Sequence, residues 1–273
     1  MEAAVPHRAV TVRAPTSPLT PVHDRGARNR REHSETALQL LPTIEADSKT
    51  DPRSAEVLPR DRSELLCRAV NVVLAFLALT AGAPLFVAVG LLVKLTSRGP
   101  IFYSQTRVGV DRRFRHKRAD DRRSYDHGGK PFEMYKFRSM RVDAEADGRA
   151  VWAAKKDPRT TPIGALLRRT RLDEIPQLYN VIRGDMNIVG PRPERPTIFA
   201  ELRENIPEYQ LRQRVKPGIT GWAQVNQAYD ECVDDVRHKV VFDLEYLRRQ
   251  SLVEDLRIMS MTIPVMLFRR GGW

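Results

Sequence analysis

The chain has 273 residues, 41% of them apolar, enough to bury a core in one large or two small domains, so a wholly disordered or fibrous protein is excluded. A formal charge of +12 predicts attraction to polyanions such as phosphates, nucleic acid or an anionic lipid surface. Two widely separated cysteines, Cys67 and Cys232, exclude a disulfide framework or paired-cysteine zinc site and fit a reducing, cytosol-facing environment.

Residues 1–60 hold seven of the 19 prolines, nearly balanced charge and no apolar period. They read as a disordered tail without a secretory signal, and structure is expected to begin near Asp61. From Ala69 to Val93 run 25 residues without a charge, 14 of them Leu, Val or Phe. On insertion scales those 14 side chains contribute about -4 to -8 kcal/mol, before the costs of Asn71, Thr80, Gly82 and Pro84. Membrane entry is therefore favourable. Pro84 removes a backbone donor and clashes with the preceding turn, which predicts a break at Gly82-Ala83-Pro84. The arms on either side measure about 22 Å and 15 Å, short of a ~30 Å hydrocarbon core. Arg60, Arg62 and Arg68 precede them, and Lys94, Arg98 and Arg107 follow, so neither flank is the less basic one that a crossing favours. The pattern predicts a re-entrant helix-break-helix over residues 61–96; a kinked full span is the alternative.

Ser97-Arg98-Gly99-Pro100 marks a turn, followed by a short strand at Ile101–Tyr103 and a second at Phe132–Phe137. Between them, Arg112–Arg123 packs seven Lys/Arg into twelve positions, a solvated loop or a contact with anionic headgroups. Thr161-Pro162 reads as the N-cap and first residue of a helix through Arg168. Asp173 precedes a second helix, Glu174 to Arg183, stopped by Gly184. Val240, Leu244 and Leu247 keep helical spacing, and Ser251-Leu252-Val253-Glu254 has the capping-box pattern opening a helix striped by Leu252, Leu256, Met259 and Ile263. That last stripe fits a core helix or, with Arg269 and Arg270 behind it, one lying in a bilayer interface. Together these signals give an α+β fold, mainly helical with short strands, an N-terminal re-entrant anchor and interfacial helices.

The densest polar cluster is Arg168-Arg169-Thr170-Arg171-Leu172-Asp173-Glu174. Asp173 as an N-cap and Glu174 as a first-turn charge would need no chemistry. The same placement also suits catalysis. Backbone N–H groups and guanidiniums would lower the carboxylate pKa, leaving a weak base better matched to attack at phosphorus, or to holding a hard cation such as Mg²⁺, than to general-base work. Lys136 interrupts a strand-like run, and Arg192 sits between two prolines that stiffen its loop. Lys216-Pro217-Gly218-Ile219-Thr220-Gly221 reads as a rigid turn.

With these residues in view, the chain from about Leu65 onward resembles the bacterial sugar transferases known as monotopic phosphoglycosyl transferases. The likeness rests on ordered motifs: the apolar hairpin, Ser97-Arg98-Gly99-Pro100, Gln105 to Gly109, Lys136-Phe137-Arg138-Ser139-Met140, Asp157-Pro158-Arg159, Leu172-Asp173-Glu174-Ile175-Pro176-Gln177-Leu178, Arg183-Gly184-Asp185-Met186, Gly190-Pro191-Arg192-Pro193 and Pro217-Gly218-Ile219-Thr220-Gly221. The resemblance implies transfer of sugar-1-phosphate from a UDP-sugar to polyprenyl (undecaprenyl) phosphate with release of UMP. This would be the first membrane step of exopolysaccharide or other glycan assembly, at the cytoplasmic face of the bacterial inner membrane. It implies Asp173 as nucleophile, Glu174 with Asp173 as Mg²⁺ ligands, Lys136 and Arg168 on phosphate oxygens, Arg192 at the nucleotide end, and Asp243 as a further acid of the site. With the tail (1–60) and anchor (61–96) read above, it implies a catalytic domain over 97–273, the tail standing where longer relatives carry further spans. Three positions depart from the family pattern: Ala83 where serine is common before Pro84, Asn71 where an acid often stands near Arg68, and a longer Arg112–Lys130 stretch.

Two other classes compete. A basic, membrane-tethered binding protein would use the charge without turnover, but no helix-turn-helix, zinc or base-stacking motif accompanies it, so nucleic acid is not an expected partner. A Mg²⁺-dependent nucleotide-sugar hydrolase would use the same acids with water as acceptor.

Overall fold

The computed structural model describes residues 57–112, 128–144, 157–227 and 233–268. Most of the expected tail, the bulk of the basic run (113–127), and Arg269 and Arg270 lie outside the described residues. The chain is mostly helical with a few short strands.

Helix α1 (Glu64–Ala81) begins at Ser63, whose hydroxyl accepts from the Leu66 N–H at 3.3 Å. It ends at Gly82, and α2 (Ala83–Thr96) follows with Pro84 in its first turn. The break falls where Pro84 predicts it, because proline is tolerated in a first helical turn and not in a helix interior. Both helices outrun the lengths read from the uncharged run alone, rising about 27 Å and 21 Å at ~1.5 Å per residue. Helix α1 is, among the described residues, long and apolar enough to cross a membrane. Its polar groups satisfy themselves on the preceding turn: Asn71 Nδ2 donates to Cys67 O at 2.7 Å and Thr80 Oγ1 to Phe76 O at 2.9 Å.

One stripe of each helix faces protein. Cys67, Asn71 and Ala75, four residues apart, are buried on α1, and Val89, Gly90 and Val93 on α2. The other faces are apolar and exposed, with Leu65 85%, Phe76 60%, Val87 59% and Leu95 81% accessible.

Strands β1 (Phe102–Val108) and β2 (Pro131–Phe137) pair antiparallel, from Phe102 opposite Phe137 to Val108 opposite Pro131. Helix α3 (Pro162–Arg169) is capped by the Thr161 hydroxyl, which accepts from Gly164 N–H at 3.0 Å. Gly164 lies so close to strand-end residue Ser139 that a Cβ would sit 1.9 Å from its carbonyl oxygen, so only glycine seats α3 there. After a 3-10 turn at Leu172–Glu174 come α4 (Gln177–Arg183), β3 (Asn187–Val189), α5 (Pro196–Asn205) and a 3-10 helix (Pro207–Arg214). Next are β4 (Gly218–Thr220), α6 (Trp222–Asn226), α7 (Val233–Arg249) and α8 (Leu252–Phe268).

Two local expectations change. Gly218–Thr220 is a strand parallel to β3 rather than a turn, because Asn187 N–H donates to Pro217 O at 2.8 Å and Gly190 N–H to Thr220 O at 2.9 Å. The helix expected from Glu174 begins at Gln177: left-handed Arg171 (φ 59°) turns the chain sharply, and Asp173 caps no N–H.

The core has three apolar clusters. The largest joins α5, α7 and α8 through Phe199, Tyr209, Val240, Leu247 and Ile258. The second sets Ala75 of α1 against Phe132, Met134, Val181 and Met186. The third sets Val89 and Val93 of α2 against Phe137 and Leu167, with Leu172 and Ile175 packed alongside. The two apolar helices are thereby seated on the strand and turn that carry the polar cluster described next.

Candidate active site

Arg171 is the one non-glycine residue at positive φ among the described residues, a conformation that costs backbone energy and turns the chain sharply after α3. The following 3-10 turn buries both acids, Asp173 at 6% and Glu174 at 7% exposure.

Glu174 is held by cations. Lys136 Nζ of β2 donates to Oε1 at 2.8 Å, and Arg192 donates to Oε1 at 2.5 Å and to Oε2 at 3.4 Å. Arg171 stands 3.9 Å from Oε2. Burial alone would raise the Glu174 pKa; Arg192 and Lys136 overturn that and hold it well below the ordinary carboxylate range. Asp173 behaves oppositely. Burial raises its pKa and neighbouring Glu174 adds to the rise, against the pull of Lys136, Arg192 and Arg168. The lowered value expected at this turn thus belongs to Glu174. The cations decide the difference: burial raises both acids, but Lys136 and Arg192 bond Glu174, and no hydrogen bond reaches Asp173 from the described residues. Lys136 is itself lowered by burial, partly offset by Glu174.

The structure brings Lys136, Asp173, Glu174 and Arg192 together. Arg168, in the last turn of α3, donates to Thr160 Oγ1 at 3.2 Å and adds to the positive field at Asp173. Asp243 lies elsewhere. It is buried on α7 and pairs with Arg212, itself inaccessible, at 2.7 Å. Arg212 donates to Tyr209 Oη at 2.6 Å and to the Arg192 carbonyl at 3.1 Å, so Asp243 is linked through it to the loop that carries Arg192. That loop is fastened from its other side too: Lys239 meets Glu194 at 3.0 Å, and Arg107 donates to Pro193 O at 3.1 Å.

Three positioning residues escape sequence reasoning. Asn180 of α4, fully buried, accepts from Tyr135 N–H at 3.0 Å and donates to Glu133 O at 2.6 Å, fixing the helix after Asp173-Glu174 to the strand that carries Lys136. Its signal is a lone amide among the apolar residues of Leu178-Tyr179-Asn180-Val181-Ile182. Arg138 donates to Arg98 O, Ser97 O and Ser97 Oγ at 2.7, 2.8 and 2.7 Å, and a Cβ on Gly99 (φ 121°) would fall on its guanidinium. It therefore ties the end of α2 to β2. Arg68 caps α4 by donating to Val181 O and Ile182 O. Asn71 Oδ1 accepts from Ile188 N–H at 2.6 Å, so an amide at this departure from the family pattern joins α1 to β3 without needing Arg68 as a charge partner.

Four cations surround two carboxylates, a balance suited to an anion such as a diphosphate. No group of three or more metal-ligating side chains occurs among the described residues. Asp173 and the loosely held Oε2 of Glu174 nevertheless fit a Mg²⁺ ion that takes one or two carboxylates and completes its shell from substrate phosphates and water.

Several known proteins are similar to this chain over most of its length. Over 203 residues, 74% of this chain and 40% of the relative, it is 42% identical to the UDP-glucose:undecaprenyl-phosphate glucose-1-phosphate transferase of Escherichia coli strain K12. It is 35% identical to the UDP-N-acetylgalactosamine-undecaprenyl-phosphate N-acetylgalactosaminephosphotransferase of Aeromonas hydrophila over 89% of this chain and 52% of the relative. To the exopolysaccharide production protein PSS of Rhizobium leguminosarum bv. phaseoli it is 36% identical, over 77% of this chain and 98% of the relative. The chain spans about half or less of the length of the first two. The family model for bacterial sugar transferases matches residues 62–269, a stretch containing the hairpin and every residue of the cluster, and the chain belongs to that family.

Proposed function

We propose that this protein transfers sugar-1-phosphate from a UDP-sugar to polyprenyl phosphate, releasing UMP and beginning a membrane-linked glycan. The observation that carries the reading is the division of labour between the acids: Glu174 is immobilised by Lys136 and Arg192, while Asp173, buried beside it, receives no hydrogen bond from the described residues.

An Asp173 oxygen attacks the sugar-bearing β-phosphorus. The bond from that phosphorus to the bridging oxygen breaks, and UMP leaves with the electron pair. An oxygen of the polyprenyl phosphate then attacks the same phosphorus. The acyl-phosphate bond breaks, restoring the carboxylate and giving the lipid-linked sugar diphosphate. Lys136, Arg168 and Arg192 offset charge on the phosphates, and the raised pKa of Asp173 makes its ionised form the stronger nucleophile. Mg²⁺ held by Asp173 and Glu174 would supply charge neutralisation at the diphosphate.

The re-entrant reading of the hairpin belongs to the same proposal. Before α1, Arg60 N–H donates to Leu247 O at 2.9 Å and Arg62 pairs with Asp255 at 2.9 Å. After α2, Arg138 holds Ser97 and Arg98. Both ends are therefore fastened to one folded body, which favours a dip into one leaflet with the catalytic body on the cytoplasmic side, where nucleotide sugars are available. As part of the same proposal, the polar tail gives way to the anchor near Asp61, where the composition changes.

The test is to incubate purified protein with a panel of UDP-sugars, with and without polyprenyl phosphate. The reading requires a stoichiometric burst of UMP without acceptor and turnover with it. Continuous release of free sugar phosphate without lipid would make the protein a hydrolase, and no UMP from any donor would leave a binding protein.

A further inference from the structure

On the membrane-hairpin side of the β1–β2 sheet lies an apolar groove whose lining includes Phe86, Gly90 and Leu91 of α2, Ile101 and Phe102 at the start of β1, and Phe137 at the end of β2. No charged side chain lines it. Three of its rings pack together, Phe86 on Phe137 at 4.8 Å, Phe102 on Phe137 at 5.3 Å and Phe86 on Phe102 at 5.7 Å between centroids. Its mouth runs into the exposed apolar face of α2, where Leu91 is 56% accessible, and onto Phe102, 44% accessible. Its floor is Phe137, which belongs to the cluster against which Leu172 and Ile175 pack. Those two residues bracket Asp173 and Glu174, so the acidic turn rests on the same cluster as the groove floor, while Lys136, next to Phe137 on β2, points to the other face of the strand. The groove therefore runs from the exposed face of α2 to the back of the turn that carries the acids.

We propose that this groove binds the first isoprene units of the polyprenyl phosphate acceptor, delivering its phosphate to the Asp173-Glu174 turn. The inference rests on the transferase reading above and adds where the acceptor chain lies. The lining chooses the occupant. A nucleotide or sugar would lose its hydration against aromatic and aliphatic carbon without a single hydrogen bond in return, whereas a branched hydrocarbon chain gains by burial. The position chooses the part of the chain, because the units next to the phosphate are those that can lie against the cluster on which the acidic turn packs. Gly90 leaves the room: a Cβ there would meet Ile101 Cγ2 at 3.6 Å and Phe137 Cε1 at 3.9 Å, ordinary contact that a methyl tolerates and a leucine side chain would extend by filling the groove.

The test has two arms. In the first, Gly90→Ala and Gly90→Leu are assayed in both half-reactions. Gly90→Leu should raise the KM for polyprenyl phosphate by about tenfold or more while the UMP burst without acceptor stays within about twofold of wild type, and Gly90→Ala should lie close to wild type in both. An unchanged acceptor KM in Gly90→Leu would overturn the proposal. In the second, which needs no variant, wild-type enzyme in phospholipid vesicles is photolabelled with a polyprenyl phosphate carrying a diazirine on its first isoprene unit. Adducts on Leu91, Ile101 or Phe102, competed by unlabelled polyprenyl phosphate, support the groove. Adducts confined to α1 or α8, or equal labelling by a diazirine phospholipid that polyprenyl phosphate does not compete, overturn it. Failure of the transferase reading looks different, since wild type would then release no UMP from any donor.

Discussion

Asn180 and Tyr135 are joined by a buried hydrogen bond from the Tyr135 N–H to the Asn180 side-chain oxygen at 3.0 Å, and the same amide donates to Glu133 O at 2.6 Å. A side chain of α4 thus pairs with the outer edge of β2 as a neighbouring strand would, setting the height of the acidic turn against Lys136. Asn180→Ala would leave a buried N–H and C=O unpaired, at about 1–3 kcal/mol each. The expected outcome is a clear fall in the thermal midpoint in detergent, with UMP release reduced beyond the loss of folded protein because Lys136 and Glu174 lose their register. A variant with wild-type stability and activity would remove Asn180 from this role.

Lys136 and Asp243 should separate site from scaffold. Lys136→Met removes one partner of Glu174 and leaves Arg192, so stability should fall modestly while UMP release drops about a hundredfold, the usual scale for losing a charge-stabilising group. Asp243→Asn strips the carboxylate from a fully buried Arg212 and should cost about 3 kcal/mol or more in stability. Its residual activity should show a raised donor KM, because Arg212 holds the Arg192 carbonyl. Denaturation curves and steady-state kinetics on the two variants check this contrast.

Acid sensitivity should trace in part to Glu194. Burial opposes its charge, but Lys239, Arg212 and Arg107 hold its pKa down to about 2, against 4.5 ordinarily. A depressed folded-state pKa gives stability fully present above about pH 4.5 and lost as pH falls towards 2, because the unfolded chain binds the proton first. Glu194→Gln should be less stable by about 3 kcal/mol at neutral pH, and the gap to wild type should close between pH 4.5 and 2. Thermal scans of both proteins across that range measure it; a gap independent of pH would contradict the assignment.

The hairpin makes a topological prediction. Single cysteines placed at positions 63 and 97 should both react with an impermeant reagent from the cytoplasmic side, because Ser63 caps α1 close to the Arg62–Asp255 pair and Ser97 is held by Arg138. Labelling from opposite sides would establish a crossing.

Features written in local chemistry were legible in the sequence. Pro84 marked the hairpin break, Thr161-Pro162 the start of α3, and the arginine-flanked Asp173-Glu174 the candidate centre, all of which depend on residues adjacent in the chain. Start and conformation failed where distant partners decide them. Pro217 to Thr220 has turn composition but becomes a strand because β3 lies alongside, and the helix after Asp173 starts late because Arg171 takes a left-handed turn. Arg212 and the Glu194–Lys239 pair were invisible for the same reason: each acts on residues 20 or more positions away, and nothing in the local pattern marks an arginine as buried; Asn180 stands out as a lone amide, but its partners on β2 do not. Asp243, carried over from the family resemblance, pairs with buried Arg212, which in turn holds the Arg192 carbonyl.

The central claim is that one aspartyl oxygen carries the sugar phosphate between donor and lipid. Intact-protein mass spectrometry after mixing with UDP-sugar alone, quenched before acceptor is added, tests it most directly. The account predicts a mass increase equal to one sugar phosphate, mapped to Asp173, absent in Asp173→Asn and discharged on adding polyprenyl phosphate. Lipid-linked product formed at full rate with no such adduct, or by Asp173→Asn, would contradict it.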